Sequence, residues 1–500
     1  MARGTSAGTG LRRDAVGPRE VLFQSVTAMA PGAAVAASIP GGAPFAGGSL
    51  PLGVLIALAG ALFAAWCVGE LARELPAAGS LATYSTQGLH PAIGFLVAWA
   101  YVFVEALIAP MLLLQLGFTT AGTLHAEWSG HPADLWWPWA LAGAAVITVA
   151  GVRDIRASTR LGTVLGVFET AVFLALAALL IVRAGGGNTL SVFTTQHTPA
   201  EHPGIGGVFA GSVYCVLAFG GFEAAAPLAE EARRPRDTVR RAVPGAALGV
   251  GLVYLVTTYA MAVFYGPDRL AGFGTEGAAS WSGVARSTYG LFWVLVFLAV
   301  VNSCVANANA GVTIATRTAF ALGRAGVLPR PLAVVHPRHR SPVVAVAVQS
   351  VLAVAVVLGL GLGFGPTTAY YLVATVLVTV ETGVYIVVNC ACTGYFWRRR
   401  RERFRPVRHL LVPLLGSAAF VPALLTAAGL PVFPFVTRLV APVSYAGAVV
   451  GVWLALGLAV LLVLRRRHPE RLAEIGRIHH EPPAQRTVPA EEESEPQPRE

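Results

Sequence analysis

Long apolar stretches fill most of the sequence, and short polar segments containing arginine, glycine or proline separate them. A mainly apolar stretch of roughly 18 or more residues is typical of a transmembrane helix, because about 20 helical residues cross the hydrocarbon core. The pattern predicts twelve such helices, numbered in chain order as segments 1 to 12. They lie near residues 21–46, 50–71, 92–121, 137–152, 160–182, 207–228, 243–265, 289–313, 342–363, 367–396, 410–430 and 440–464. The predicted fold class is therefore an all-α polytopic membrane protein.

The chain divides into three parts by composition. Residues 1–20 form a polar, cytoplasmic N-terminal segment without the features of a cleaved signal peptide, so segment 1 is expected to stay in the protein. Residues 21–465 form the membrane domain. Residues 466–500 are rich in proline and glutamate and cannot bury a core, which predicts a disordered cytoplasmic tail.

Arginine is distributed unevenly between the two sides of the membrane domain. With both termini cytoplasmic, 32 of the 36 basic residues lie on the cytoplasmic side, and only Arg183, Arg269, Arg286 and Arg438 lie outside. Cytoplasmic loops carry such an excess, so a multi-pass protein of the cytoplasmic (plasma) membrane is predicted. The dense cluster at 398–408 follows the same rule, and contact with anionic membrane lipid is the alternative.

Composition excludes other classes of protein. Apolar residues make up 55% of the chain and charged residues 12%, about half the charge content of a soluble domain. The net charge of +10 follows from membrane topology, so no nucleic-acid partner is expected. All basic residues except histidine are arginine, and no H-E-x-x-H motif, P-loop or Cys/His ligand spacing occurs. Neither an enzyme nor a metal site nor a cofactor is expected, and no oligomeric state follows from the sequence.

Two of the predicted helices are interrupted. Segment 1 reads FQSVTAMAPGAAVAASIPGG, with Pro31 and Gly32 where a lipid-facing helix would carry leucine or valine. Proline removes a backbone donor and glycine tolerates unusual dihedral angles, so unwinding is expected near Pro31. Segment 6 repeats the feature with Gly220 and Gly221. Because the breaks are five segments apart, the two helices cross in opposite directions, as a five-plus-five inverted repeat requires.

Broken helices expose backbone groups that need polar partners. The N-terminus of a half-helix attracts an anion and the C-terminus attracts a cation, so a zwitterion such as an amino acid fits both. Close packing or simple kinking is the structural alternative for either break. The matching positions of the two breaks favour a binding site.

Several ordered motifs across residues 16–465 resemble the amino acid/polyamine/organocation (APC) superfamily of transporters, and within it the amino acid permease family. They are ELARELPAAGSLATY after segment 2, GFLVAWAY opening segment 3, GVRDIRASTR before segment 5, FGGFEAAAPLAEEARRPRDTVRRAV through segment 6, and TRTAFALGRAGVLPRPLAVVHPRHRSPVVAV after segment 8.

The resemblance implies a twelve-helix transporter domain over residues 21–465. Inverted repeats would span about 21–182 and 207–396, and two additional C-terminal helices would span about 410–464. In the family, the break in segment 1 receives the substrate carboxylate and the break in segment 6 receives the amine. The corresponding substrate-binding residues are Met29, Ala30, Pro31, Gly32, Ala33, Leu217, Phe219, Gly220, Gly221 and Phe222, with the two phenylalanines as candidate gating aromatics.

The sequence departs from the family pattern in two places. Relatives often carry a glycine-rich motif in segment 1, whereas Pro31 supplies no amide here, which leaves room for an amine without a carboxylate. Several proton-coupled relatives carry a lysine in segment 5. Aligning Ser158, Thr159 and Arg160 places Glu169 at that position, and the chain contains no lysine. Any coupling must therefore use another group.

Four glutamates lie within predicted helices, namely Glu105, Glu169, Glu223 and Glu381. A charge at the bilayer centre costs about 2.5–3.5 kcal/mol on insertion scales, so such residues usually have a function. Three of them are predicted to couple transport to a proton or another ion. They are Glu169, Glu105 and Glu223, and the last of these matches the family glutamate. The structural alternative for Glu223 is bonding of freed amides or contact with a neighbouring helix, and for Glu169 it is capping or pairing with an arginine. For Glu105 and Glu381 it is a hydrogen bond to a neighbouring helix.

Two further groups of polar residues have open interpretations. Asn302 and Asn309 share a face of segment 8, where they line a cavity or join helices. After segment 6, an ion-pair network or gate is predicted for Glu230, Glu231, Arg233, Arg234 and Arg236.

The predicted function is a permease for an amino acid or related amine, driven by proton symport with alternating access. An exchanger of such solutes and a polyamine or organocation permease are the alternatives within transport. A membrane-embedded enzyme would need a cluster of catalytic polar groups near one membrane face, which the sequence lacks. A transporter-like sensor is a further class, and the tail carries no specific sign of it. The partners expected are the small-molecule substrate, the coupling ion and membrane lipid.

Overall fold

The computed structural model describes residues 17–76, 79–128, 130–152, 156–230, 235–275, 279–324, 328–336 and 341–467. Within these residues the protein is helical and contains no β-strand, in agreement with the predicted all-α class. Ten stretches of the described chain are helical, long and apolar enough to cross a membrane. The longest, Pro18–Glu74, has 57 residues and contains both segment 1 and segment 2. Segment 4 forms a shorter apolar helix of 16 residues, Trp137–Val152.

The helices follow the predicted apolar stretches closely. The helices that correspond to segments 2 to 12 are Leu50–Glu74, Pro91–Glu127, Trp137–Val152, Arg156–Ala184, Ile205–Phe219, Pro235–Tyr265, Phe292–Arg324, Val343–Phe364, Pro366–Arg399, Val412–Ala427 and Ala446–Arg467. Shorter helices, Ser80–Gly88 and Ala279–Tyr289, precede segments 3 and 8. The last helix ends at Arg467, two residues into the predicted tail, and the remainder of the tail lies outside the described residues, as do residues 1–16.

Segment 1 is broken at the predicted place, one residue before the proline. Its first helix is Pro18–Ala28, and Ala30 adopts a left-handed conformation with φ of 44° and ψ of 66°. Proline disfavours a helical conformation in the residue before it, and it fits the first turn of a helix because that turn needs no amide donor. Pro31 accordingly starts the next helical stretch, which continues through π-helical and 3₁₀ turns to Gly42.

Segment 6 is broken at its glycine pair. The helix Ile205–Phe219 ends there, and the chain continues as the 3₁₀ helix Phe222–Glu230. Gly221 has a φ of 97°, a backbone conformation that L residues with a side chain rarely adopt. A Cβ added to Gly221 would lie 2.9 Å from the backbone of Ala28. The two breaks therefore touch each other in the protein interior.

Replacing Gly221 by alanine is expected to destabilise the fold by about 1–2 kcal/mol or more, because the substitution combines an unfavourable φ with a steric overlap. The check is the midpoint of thermal unfolding of the detergent-purified protein. Gly383→Ala is the matched control, since Gly383 lies within the helix Pro366–Arg399 and an added Cβ there would meet no atom within 4 Å. Equal midpoints for the two variants would contradict this geometry.

The helices that carry the breaks are packed in the centre of the bundle. Among the membrane-spanning stretches described, segments 6 and 10 are the most buried, and segments 9 and 12 are the most exposed. Segment 2 packs along segment 7, and segment 3 packs along segment 8, in the most extensive helix contacts of the described chain. The two helix breaks are thus enclosed by protein rather than lipid.

Ion pairs and hydrogen bonds close both ends of the bundle. At the arginine-rich end, Glu70 contacts Arg240 at 3.0 Å, and Glu74 contacts Arg403 at 2.8 Å. At the opposite end, His197 Nδ1 lies 2.7 Å from a carboxylate oxygen of Asp268. The gate predicted from Glu230 to Arg236 falls where residues or their side chains lie outside the described structure.

Candidate functional site

The two helix breaks share a network of hydrogen bonds. The Ser25 hydroxyl in segment 1 donates to the Phe222 carbonyl at 2.7 Å and accepts from the Ala225 amide at 3.0 Å. In segment 7, the Tyr254 hydroxyl contacts the carbonyl oxygens of Met29 and Ala218 at 2.8 and 2.9 Å. One tyrosine hydroxyl therefore lies between carbonyls of both breaks and can donate its single hydrogen to either of them.

The backbone of residues 30–32 offers no free amide at the segment 1 break. Pro31 has no amide hydrogen, the Ala30 amide donates to the Thr27 carbonyl at 3.1 Å, and the Gly32 amide donates to the Glu169 carboxylate. The Gln115 side chain of segment 3 donates to the Ala33 carbonyl at 2.8 Å.

Glu169 connects segment 5 to segments 1 and 8. Its side chain is buried, and its carboxylate accepts a hydrogen bond from Asn302 Nδ2 at 3.1 Å and faces the Ser303 hydroxyl. Of the two structural alternatives for Glu169, pairing with an arginine is not seen among the described residues, whereas the bond from the Gly32 amide is a capping contact. Asn302 is thus directed at a buried carboxylate. Glu169, its contacts to Asn302 and Ser303, and the Gly32 amide are called the Glu169 site below.

A second buried acidic group lies where segments 3, 6 and 10 meet. The Glu223 carboxylate accepts hydrogen bonds from Tyr101 of segment 3 and, at 3.0 Å, from Tyr385 of segment 10. The amides of Gly221 and of Glu223 itself also donate to it, which is the capping arrangement considered above.

Two further carboxyl groups face Glu223, and the three glutamates form what we call the acidic cluster. Glu105 and Glu381 are 7% and 6% exposed, and each interacts electrostatically with Glu223. The Glu381 carboxylate oxygens lie 2.6 and 2.9 Å from the position that a Cβ of Gly220 would take. Glu381 therefore lies directly against the break in segment 6.

The acidic cluster has more acceptors than donors. One carboxylate oxygen each of Glu105 and Glu381 is buried without a hydrogen-bond partner. The chain has no lysine, and no arginine is buried in the described part of the structure. A buried carboxyl group without a partner is costly unless it binds a proton or a cation. A proton or a cation is therefore expected at the cluster.

The predicted substrate residues are brought together, but they are packed rather than open. Met29, Ala30, Pro31, Gly32 and Ala33 are buried, as are Leu217, Phe219 and Phe222. The rings of the two phenylalanines contact tyrosines. The ring centroids of Phe219 and Tyr254 are 5.3 Å apart, and those of Phe222 and Tyr385 are 4.8 Å apart. Both phenylalanine rings are thus packed against tyrosines in this conformation, and their role as gates stays a prediction.

Sequence reasoning did not single out the tyrosines. Tyr101 and Glu105 are four residues apart in segment 3, and Glu381 and Tyr385 are four apart in segment 10. Residues at this spacing share a helix face, so the sequence alone could have predicted that each tyrosine lies beside a glutamate. Tyr254 has no such local signal, because its role depends on how segment 7 packs against both breaks.

Comparison with known proteins shows the family of the chain. The family model for the amino acid permease matches residues 21–462, nearly the whole chain. The chain belongs to the amino acid permease family. It is therefore a multi-pass membrane protein of a transporter family in the APC superfamily.

Relatives of this permease have different substrates in their names. It is 25% identical to the low-affinity putrescine importer PlaP of Escherichia coli K12 over 382 residues, 74% of this chain and 79% of the relative. It is 26% identical to the cationic amino acid transporter 6, chloroplastic, of Arabidopsis thaliana over 353 residues, which are 67% of this chain and 60% of the relative. It is 25% identical to the branched-chain amino acid permease BcaP of Bacillus subtilis 168 over 336 residues, which are 61% of this chain and 66% of the relative.

Proposed function

We propose that this permease carries an amino acid or a related amine across the plasma membrane by alternating access and proton-coupled symport, with both termini cytoplasmic. The observation that carries the proposal is the meeting of two broken helices at a buried, acid-lined point in a member of this family. Half-helix ends at a midplane site are the arrangement that secondary transporters use to bind small charged solutes.

The proposed architecture is twelve crossings with a five-plus-five inverted repeat. The 57-residue stretch Pro18–Glu74 is long enough for two crossings, and Trp137–Val152 is about 24 Å long, enough for a thinned or locally protected crossing. The closest packing joins segment 2 to 7 and segment 3 to 8, the pairs that a five-segment offset relates. Counterpart helices near a pseudo-two-fold axis pack against each other in such a repeat.

We assign the coupling proton to the Glu169 site. Glu169 is held by segments 1, 5 and 8, whereas the acidic cluster is formed by segments 3, 6 and 10, so a proton and a substrate can be bound at the same time. Simultaneous binding is what symport requires. If the proton and the substrate instead compete for Glu223 and Glu105, binding of one releases the other, and the permease is an exchanger.

Uptake into empty proteoliposomes separates symport from exchange. With an acidic exterior and no internal solute, a symporter is expected to accumulate a labelled substrate, while an exchanger stays idle until the lumen is loaded with unlabelled solute. The substrate panel comprises amino acids, linear amines and polyamines. Uptake that requires preloading at every external pH would contradict symport and support exchange.

A further inference from the structure

The linker between segments 10 and 11 carries a large positive charge. Residues 398–408 contain seven arginines and one glutamate, and all seven arginines are exposed. Glu74 of segment 2 pairs with Arg400 at 3.4 Å and with Arg403 at 2.8 Å, and Glu402 lies 3.9 Å from Arg400. The arginines of this linker without a carboxylate partner in the described part of the chain are Arg398, Arg399, Arg401, Arg405 and Arg408. The protein therefore neutralises only part of this charge.

Two of these arginines flank the start of segment 11. Arg405 lies just before the helical stretch Val407–Ala427, and Arg408 lies in its first turn. The Arg405 amide donates to His409 Nδ1 at 3.0 Å, and the buried His409 ring stacks on Phe396 of segment 10 with 3.8 Å between the ring centroids. The backbone that carries both arginines is thus fixed against segment 10. The first amides of a helix have no partner within it, so the same helix end also attracts an anion.

An aromatic side chain of segment 2 lies beside these arginines. The Arg408 guanidinium lies over the Trp66 ring, 5.9 Å from its centroid. Trp66 Nε1 is a buried donor without a hydrogen-bond partner among the described residues, which is unusual in a folded protein. A ligand beside Arg408 that carries oxygen acceptors can supply this partner. Arg405, Arg408 and Trp66 are called the basic site below.

Exposed apolar side chains continue from the basic site along segment 11. The four that follow it are 46% to 63% exposed, namely Val407, Leu410, Leu411 and Leu414. In a multi-pass membrane protein, such side chains of a membrane-spanning helix face the acyl chains of the bilayer. Nearby, Arg401 lies over the exposed ring of Trp397 at 5.1 Å, and tryptophan is enriched where acyl chains meet head groups. The basic site therefore lies at the level of the lipid head groups.

An anionic phospholipid matches both parts of this surface. Its phosphate oxygens accept hydrogen bonds from guanidinium groups, and its acyl chains cover the exposed leucines. A zwitterionic phospholipid carries a positive group that cancels the attraction, and free phosphate has no apolar part. Clusters of about four to eight basic residues beside a membrane-spanning helix are typical of proteins that bind anionic lipid.

We propose that the basic site binds the head group of an anionic phospholipid at the arginine-rich end of the bundle. The proposal goes beyond the transport function, since it requires neither a particular substrate nor a coupling ion. The bound lipid holds the linker 398–408, which supplies Arg400 and Arg403 to Glu74. Anionic lipid therefore stabilises the contacts that close this end of the bundle.

Native mass spectrometry of the detergent-purified full chain tests the proposal. The protein is titrated with phosphatidylglycerol and with phosphatidylcholine of the same acyl chains. Phosphatidylglycerol is expected to bind about tenfold or more tightly, because each arginine near an anionic head group strengthens binding by roughly fivefold. Arg405→Gln combined with Arg408→Gln should reduce this preference to less than about threefold. Phosphatidylglycerol should also raise the thermal unfolding midpoint of the native protein and not that of the double variant.

The matched control removes the same charge from the same end of the bundle. Arg465 and Arg467 are exposed in the last turn of segment 12, and replacing both by glutamine should change the preference by less than about twofold. An equal loss in both double variants would show that the whole basic surface attracts the lipid, and would overturn the assigned site.

Trp66→Phe provides a second variant if the arginine variant does not insert. This substitution keeps every arginine and removes only the indole donor, so the preference for phosphatidylglycerol should fall by about threefold. An unchanged preference in Trp66→Phe would overturn the assigned site.

Two other occupants of the basic site are outcomes of the same measurements. Inorganic phosphate that raises the unfolding midpoint as much as phosphatidylglycerol would assign the site to a soluble anion. A lipid preference that appears only after the four glutamates of residues 491–495 are replaced by glutamine would assign the site to the acidic end of the chain. Either result, or equal binding of the two lipids, would overturn the lipid assignment and leave the proposed transport function unaffected.

Discussion

Replacing Glu223 by glutamine is expected to lower uptake by about tenfold or more while the protein still inserts and folds. Glu223 joins segments 3, 6 and 10 through Tyr101 and Tyr385, beside the break at Gly221. Glutamine keeps the size of the side chain but removes the charge around which these donors are arranged. Without that charge the acidic cluster attracts a cationic substrate less strongly, and the pH dependence that this carboxyl contributes is lost.

The Glu223 prediction is checked by initial uptake rates in proteoliposomes at two external pH values. Glu201→Gln serves as the control because it makes the same change at an exposed position. Protein content and thermal unfolding midpoint of each variant confirm insertion and folding. Unchanged, pH-dependent uptake by Glu223→Gln would remove this residue from both binding and coupling.

Replacing Glu169 by glutamine is expected to uncouple transport from the proton gradient without abolishing substrate exchange. A glutamine oxygen can still accept from the Gly32 amide, so the segment 1 break keeps its shape, but the side chain can no longer bind and release a proton. Imposing an acidic exterior should accelerate uptake by the native protein by about tenfold, and by the variant by less than about twofold.

The matched measurement for Glu169 is exchange between labelled external and unlabelled internal substrate at equal pH. The variant should retain this exchange, because the acidic cluster and the break carbonyls are intact. Loss of both gradient-driven uptake and exchange would show that Glu169 is needed for binding or folding. Full gradient stimulation in the variant would place the coupling proton elsewhere, with Glu223 and Glu105 as the remaining predicted groups.

The helix breaks were predictable because their causes are local. The proline at 31 and the glycine pair at 220 and 221 act on their own backbone, so the sequence indicates where each helix ends. The sequence did not reveal that the break in segment 1 falls at Ala30, with Pro31 starting the next helix rather than bending it. That detail follows from the preference of proline for the first turn.

The composition of the site was less predictable because it depends on contacts between distant helices. Nothing in the sequence indicates that segments 3 and 10 direct Glu105 and Glu381 toward segment 6. Likewise, only the packing of segment 5 against segment 1 brings Glu169 to the Gly32 amide. This contact turns an expected carboxylate-binding end into an acidic one.

The central claim is that this permease moves its substrate together with a proton that binds at the Glu169 site. The most direct test records the internal pH of proteoliposomes with a trapped dye, with membrane potential clamped, while an amino acid or amine that is taken up is added outside. The account predicts acidification of the lumen that accompanies uptake and is absent in Glu169→Gln. Uptake of labelled substrate by the native protein with no change of internal pH would contradict it.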